Sequence, residues 1–276
     1  MKRQMKTLKS LLLLAGLYVC LTAQAAVVDT LAVPSAAMNK AVKVVTVRPD
    51  KAVKGDKCPV VYLLHGHGGH ENTWFVVKPE LAEIADREGI IFVCPNGENS
   101  WYWDSPVNPA LKFETFVSKE LVEYVDSHFA TLADREHRAI TGLSMGGHGA
   151  MWNAIRNQDV FGACGSMSGG LDIRPFPDNW HMKDHLGERD TNLEVWNNHT
   201  VINQLDKLKD GMLAITIDCG FSDFFADVNR AVHQALLSRK IGHDYTMRPG
   251  GHTRDYWDNS FDYHILFFKK YFEKNK

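Results

Sequence analysis

The stretch AITGLSMGGHGAMW, residues 139–152, decides the fold. A short apolar run ends at Gly142, one serine sits between small residues, and a helical pattern starts at once. Gly142-Leu143-Ser144-Met145-Gly146 matches G-x-S-x-G, a strand–turn–helix bend that projects a serine from a strained backbone. Such a bend leaves no room for side chains at the two flanking positions, and both are glycine. The following helix turns its N-terminus, with free N–H groups, toward the serine, which favours developing negative charge there. Ser144 is therefore the candidate nucleophile. The alternative is an inert serine in a tight packing turn.

The rest of the chain fits around this bend. Apolar runs at 59–66, 90–95, 138–142, 163–169, 213–220 and 243–250 are bounded by Gly or Pro and predict strands covered on both faces. Residues 42–49 predict an earlier, edge-type strand. Residues 113–129 place Phe113, Phe116, Val117, Leu121, Tyr124, Val125 and Phe129 on one helical face, and 223–240 and 262–274 are also helix-like. Strand–helix alternation predicts an α/β fold with a mostly parallel central sheet and helices on both faces. The irregular stretch at about 168–205 predicts a lid or binding insertion.

The chain has 276 residues and five cysteines. Lys2, Arg3, Lys6 and Lys9 precede an apolar run over 11–19 and the small-x-small site Ala23-Gln24-Ala25, which predicts a secretory signal peptide over residues 1–25. The apolar run is too short for a comfortable membrane span. Cys20 raises a lipoprotein alternative, against which the bulky Val19 counts. The expected product, 26–276, is a single α/β domain, secreted or periplasmic. It carries 27 basic and 33 acidic side chains with no basic run, so nucleic acid is not an expected partner. Cys58, Cys94, Cys164 and Cys219 are too widely spaced for a disulfide framework or zinc site; buried free thiols are expected.

A serine hydroxyl needs a base, and this motif's usual order is serine, acid, histidine. His252, in RPGGHTRDYW after the last predicted strand, is the candidate base. ITIDCGFSDFF offers two candidate acids, Asp218 and Asp223, and spacing alone leaves both open. Each has a plainer role available, Asp218 bracing a turn and Asp223 capping a helix. The amides of Met145 and His67 are the candidate oxyanion donors, with Gly68 as the near alternative to His67. His65, His67 and His70 lack acidic or cysteine partners at a ligand spacing, so no metal is expected; His65 suits a buried brace and His70 a rim. Trp101 and Trp103, beside Tyr102, are candidate substrate contacts on a loop near the sheet's edge, with core packing the equal alternative. Trp180, His181, His185 and Trp196 line a lid or form the insertion's own small core. Asn198-His199-Thr200 is a glycosylation sequon, meaningful only in a host that uses it.

Taken together, YLLHGHGGHENTW, NGENSWYWDSP, FETFVSKELVEYVD, GLSMGGHGA, DCGFSDFF and HDYTMRPGGHTRDYW give the chain a resemblance, over about 40–273, to an esterase family of α/β-hydrolases. This family includes tributyrin esterases, S-formylglutathione hydrolases, bacterial feruloyl esterases and mycolyltransferases. The resemblance implies the α/β-hydrolase fold. It favours Asp223 over Asp218 as the acid, and it matches Ser144, His252, His67 and Met145 to their expected roles. It implies acyl-ester hydrolysis through an acyl-enzyme without a metal or organic cofactor, on a small-molecule or carbohydrate-linked ester such as a feruloyl or acetyl ester. The alternatives are an acyltransferase with the same triad, an S-formylglutathione hydrolase-like thioesterase, which export disfavours, and a non-catalytic carbohydrate-binding relative.

Overall fold

The computed structural model describes residues 26–275. The expected signal peptide and Cys20 lie outside the described residues. Among the described residues, eight strands form one sheet: β1 (Val27–Ser35), β2 (Lys40–Arg48), β3 (Val60–Leu64), β4 (Ile91–Pro95), β5 (Arg138–Gly142), β6 (Ala163–Met167), β7 (Ala214–Gly220) and β8 (Asp244–Arg248). Their order is β1-β2-β4-β3-β5-β6-β7-β8. β1 and β2 form an antiparallel hairpin, and β2 pairs antiparallel with β4. The other six strands are mutually parallel. The mostly parallel sheet is the one expected from the alternating pattern, and the α/β-hydrolase fold is the one the resemblance implies.

Every residue of β3, β4, β5 and β6 is buried, because helices cover both sides. One face packs Tyr62, Ile140, Met151, Phe161 and Ile215 with the helix Met145–Arg156. The other packs Val61, Leu63, Phe92, Phe261 and Phe268 with the helices Leu81–Glu88 and Arg254–Lys274. Cys58, Cys94, Cys164 and Cys219 are all buried with free thiols.

Three elements differ from expectation. The strand expected at the edge, β2, lies one place in, because β1 pairs along its whole length from Val27↔Arg48 to Ser35↔Lys40. β1 alternates exposed and covered residues and carries Pro34, as an outer strand tolerates. β8, expected to be fully buried, is the opposite edge and is only partly covered. The expected helix 113–129 contains one turn of π-helix, Phe116–Glu120, between the α-helical Phe113–Thr115 and Leu121–His128. That turn admits one extra residue without losing the apolar face. Among the described residues, no helix is long and apolar enough to cross a membrane.

The parallel strands explain why distant residues meet. β3 and β5 are neighbours, with Leu64 paired to Gly142, so the loop after β3 lies beside the Ser144 bend. β7 and β8 are neighbours, so the loops carrying Asp223 and His252 emerge together. All these loops leave the C-terminal ends of their strands, where open α/β sheets place their sites.

Candidate active site

Ser144 sits between β5 and the helix Met145–Arg156 with φ 55° and ψ −119°. A non-glycine residue held there is strained, and its surroundings hold it. Its N–H donates to the Met167 carbonyl at 2.9 Å, and the Gly146 N–H donates to Leu143 at 2.7 Å. A Cβ on Gly142 would run into the Gly146 backbone, and one on Gly146 into the Leu64 carbonyl. The two glycines are therefore required by close backbone approach.

The side chains of Ser144, His252 and Asp223 form one hydrogen-bonded line. Ser144 Oγ lies 2.8 Å from His252 Nε2. His252 Nδ1 lies 2.9 Å from Asp223 Oδ2 and 3.1 Å from Oδ1. With Nδ1 facing a carboxylate, Nδ1 carries the proton and donates it, leaving Nε2 to accept from the serine. Asp223 is held in turn: Oδ1 accepts the Phe225 N–H at 2.8 Å, and its side chain is fully shielded from solvent. It thus makes a helix-entry contact and faces the imidazole at once. The His252 ring is packed by Phe224 at 4.2 Å and edge-on by Trp257 at 4.9 Å. Asp218 does not reach His252. Its carboxylate accepts from Arg248 and from the Tyr256 hydroxyl.

The loop after β3 is built on His65. Its Nδ1 donates to the Gly66 carbonyl at 2.7 Å, and its Nε2 accepts the Gly97 N–H at 2.8 Å. That pattern needs a neutral ring, and burial pushes the His65 pKa down to about 4. His65 is thus a buried brace, and His70 lies exposed at the rim. Among the described residues, the backbone N–H groups of Met145 and His67 donate to no other group, whereas the Gly68 N–H donates to Asn99 Oδ1 at 2.7 Å. The His67 ring stacks on His181 at 5.4 Å. Burial lowers the His67 pKa, and the nearby His181 and His185 lower it further. No group of His, Cys, Asp and Glu among the described residues is arranged to hold a metal ion.

A cleft of about 470 Å³ opens over Ser144 and His252, walled by Gly66 to Gly69, Leu143, Trp180, Phe224 and Trp257. Trp101 and Trp103, candidate substrate contacts with core packing as the equal alternative, are core residues and do not line the cleft. They are 1% and 0% exposed, stacked on each other at 5.6 Å, with His148 edge-on to both. Positive φ at Trp101 (56°) and Tyr102 (61°) turns this loop inward. Trp101 still bears on the cleft indirectly, since its Nε1 donates to the carbonyl of Trp180 at 3.2 Å. Phe224 and Trp257 were not singled out from sequence; the available signals were an aromatic beside the acid and another five residues after the histidine. Within 168–205, Trp180 reaches the cleft, Trp196 is buried in the core, and His181 and His185 pack near His67 and Ser105. A larger cavity of about 610 Å³ lies away from these groups, between Glu114, Trp152 and Arg156. Two of its charged residues are paired, Arg156 with Glu114 at 2.7 Å and Arg138 with Asp126 at 2.5 Å.

The chain is similar to known proteins over most of its length. A family model described as "Putative esterase" matches residues 35–268. An acetyl esterase of Caldicellulosiruptor saccharolyticus is 28% identical over 227 residues, 76% of this chain and 85% of that protein. A xylanase/feruloyl esterase of Xylanibacter ruminicola is 32% identical over 130 residues, 44% of this chain but 18% of that longer protein. A solved ferulic acid esterase superposes with a TM-score of 0.74 at 28% identity, covering 89% of this chain and 98% of its own.

Proposed function

The chain belongs to this esterase family and is a hydrolase of carboxylic esters, and from that premise we propose that it works through Ser144, His252 and Asp223 on acyl esters of carbohydrates. The observation that carries the mechanism is the continuous line from Ser144 Oγ through His252 to Asp223. Ser144 Oγ attacks the ester carbonyl carbon while His252 Nε2 takes its proton. Asp223 holds the Nδ1 tautomer and stabilises the imidazolium. The oxyanion is bound by the N–H groups of Met145 and His67, each worth several kcal/mol when aimed at the developing charge, roughly 3–4 by analogy with known donors. His252 returns the proton to the leaving alcohol, and an acyl-serine remains. Water deprotonated by His252 then attacks it, the acid leaves, and Ser144 recovers its proton.

The similarity to an acetyl esterase and a ferulic acid esterase along most of the chain supports the substrate class. So does an open cleft with aromatic side chains on its walls, which suits a small or planar acyl group. Trp180 at the cleft supports reading 168–205 as a substrate-covering insertion. The leader pattern in residues 1–25 supports export, where polysaccharide esters are met; the exported enzyme should begin at Ala26 by N-terminal sequencing.

The test is steady-state hydrolysis by the 26–276 protein of p-nitrophenyl acetate and butyrate, methyl ferulate and an acetylated xylo-oligosaccharide, beside Ser144→Ala. Preference for the ferulate or sugar ester supports the proposal. Turnover of short p-nitrophenyl esters alone refutes the carbohydrate assignment and leaves a general carboxylesterase. Serine-dependent appearance of acylated sugar in place of free acid, with a sugar acceptor present, identifies a transferase.

A further inference from the structure

Asp218 ends up buried beside the catalytic machinery without belonging to it. It is 1% exposed, near the end of β7, and does not line the cleft. One carboxylate oxygen accepts from Arg248 Nη2 and the other from the Tyr256 hydroxyl. Arg248 is the last residue of β8, four before His252, and Tyr256 is four after it in the first turn of the helix Arg254–Lys274. A single carboxylate therefore grips both ends of the loop whose centre is His252. Ser260 Oγ adds a second contact to Arg248 Nη2 at 2.8 Å.

Other contacts hold the loop as well: Asp223 bonds the His252 ring, and the Thr253 N–H donates to the Gly251 carbonyl at 2.9 Å. Main-chain bonds hold its entry, from Phe221 N–H to Arg248 O and from Ser222 N–H to Gly250 O, both 3.0 Å. Gly250, at φ 140°, lies against the Tyr256 ring so closely that a Cβ would collide with it. The tyrosine ring is thus the floor under the loop, and Asp218 sets where that floor sits. Thr253 caps the helix through Tyr256 N–H, which ties the same residue to the segment after His252.

We infer that Asp218 is a positioning residue: by clamping Arg248 and Tyr256 it sets the distance of His252 Nε2 from Ser144. The inference rests on the reading of Ser144, His252 and Asp223 as the reacting groups. Burying a carboxylate is costly unless it is paired and hydrogen-bonded, and Asp218 is both.

The test compares Tyr256→Phe, Asp218→Asn and the double variant. Tyr256→Phe removes one hydroxyl and keeps the ring under Gly250, so it isolates the clamp from the packing. Three readouts are taken well below the unfolding temperature: kcat and KM on p-nitrophenyl acetate, the rate at which a fluorophosphonate labels Ser144, and the downfield proton resonance of His252 Nδ1, assigned by its loss in His252→Ala. Each single variant should lose about 10- to 100-fold in kcat, the scale of a misplaced reacting group, with KM nearly unchanged. The labelling rate should fall in parallel and the Nδ1 resonance should broaden. The double variant should be no worse than the poorer single, because both remove one clamp. Wild-type kcat and labelling in Tyr256→Phe, even with lowered thermal stability, would overturn the inference, as would independent, multiplicative losses in the double. Failure of wild-type enzyme to be labelled at Ser144 would instead sink the underlying triad reading, and is told apart by that alone.

Discussion

Replacing Asp223 by asparagine keeps the volume and reverses a proton. Asp223 Oδ1 accepts the Phe225 N–H at 2.8 Å, so the amide oxygen of an asparagine must occupy that position. Its NH2 group then takes the place of Oδ2, 2.9 Å from His252 Nδ1. Two donors cannot face each other there, so Nδ1 must become the acceptor and the ring proton moves to Nε2. Nε2 now points its N–H at Ser144 Oγ, 2.8 Å away, and can no longer take the serine's proton. Loss of the tautomer and of the charge that stabilises the imidazolium should cost about 10³- to 10⁴-fold in kcat, roughly 4–5.5 kcal/mol of transition-state stabilisation. The fold should be little changed, because the Phe225 contact survives. The assay is kcat on p-nitrophenyl acetate beside a urea unfolding curve for each variant. Asp218→Asn, by contrast, should lose only about 10- to 100-fold. An Asp223→Asn enzyme within tenfold of wild type, or one outperforming Asp218→Asn, would refute this reasoning.

Ser144→Gly should abolish turnover yet stabilise the fold by about 1–2 kcal/mol, since glycine removes the left-handed strain at φ 55°; urea unfolding with an unchanged or lower midpoint would contradict it. Trp101→Ala should cost about 3–5 kcal/mol of stability as a core truncation, and loss of KM alone with unchanged stability would return Trp101 to the substrate site. Burial holds three neutral histidines far below their ordinary range: His65 at about 4, His148 at about 3 and His264 at about 3. Unfolding lets each one take up a proton near pH 6.5, so their contribution is fully present above that pH and is lost as pH falls toward 4. The slope should approach about 4 kcal/mol per pH unit for three protons. Unfolding free energies that stay flat from pH 7 to pH 5 would refute it, and His148→Gln should remove about a third of the slope.

The strands β3 to β7 were legible because strands covered on both faces are mostly apolar or small, and runs such as PVVYLLHG and IIFVCP have few other uses. The hairpin partner β1 was not, since its alternating, half-exposed pattern with Pro34 carries a weak signal. The π-turn at Phe116–Glu120 leaves the helical apolar face almost unchanged, so periodicity passes over it. Ser144 and His252 could be picked out because each demands a special local backbone: glycines pressed against neighbouring main chain for one, a glycine loop after the last strand for the other.

What the sequence determined by itself, then, was whatever follows from local chemistry: the bend at Ser144, the alternation that builds a parallel sheet, and the family pattern. The choice between Asp218 and Asp223 is a matter of direction. Asp218 sits near the end of β7 and Asp223 in the loop just past it, so residue spacing leaves both open; the packed loops show that one faces the imidazole while the other faces Arg248 and Tyr256. The tryptophans divide for the same reason. Trp101 and Trp103 are as aromatic as Trp180 and Trp257, yet left-handed backbone at Trp101 and Tyr102 folds the first pair into the core, leaving Trp180 and Trp257 to wall the cleft. Composition tells a side chain's appetite for burial; which surface satisfies it is decided only when distant strands have placed their loops together.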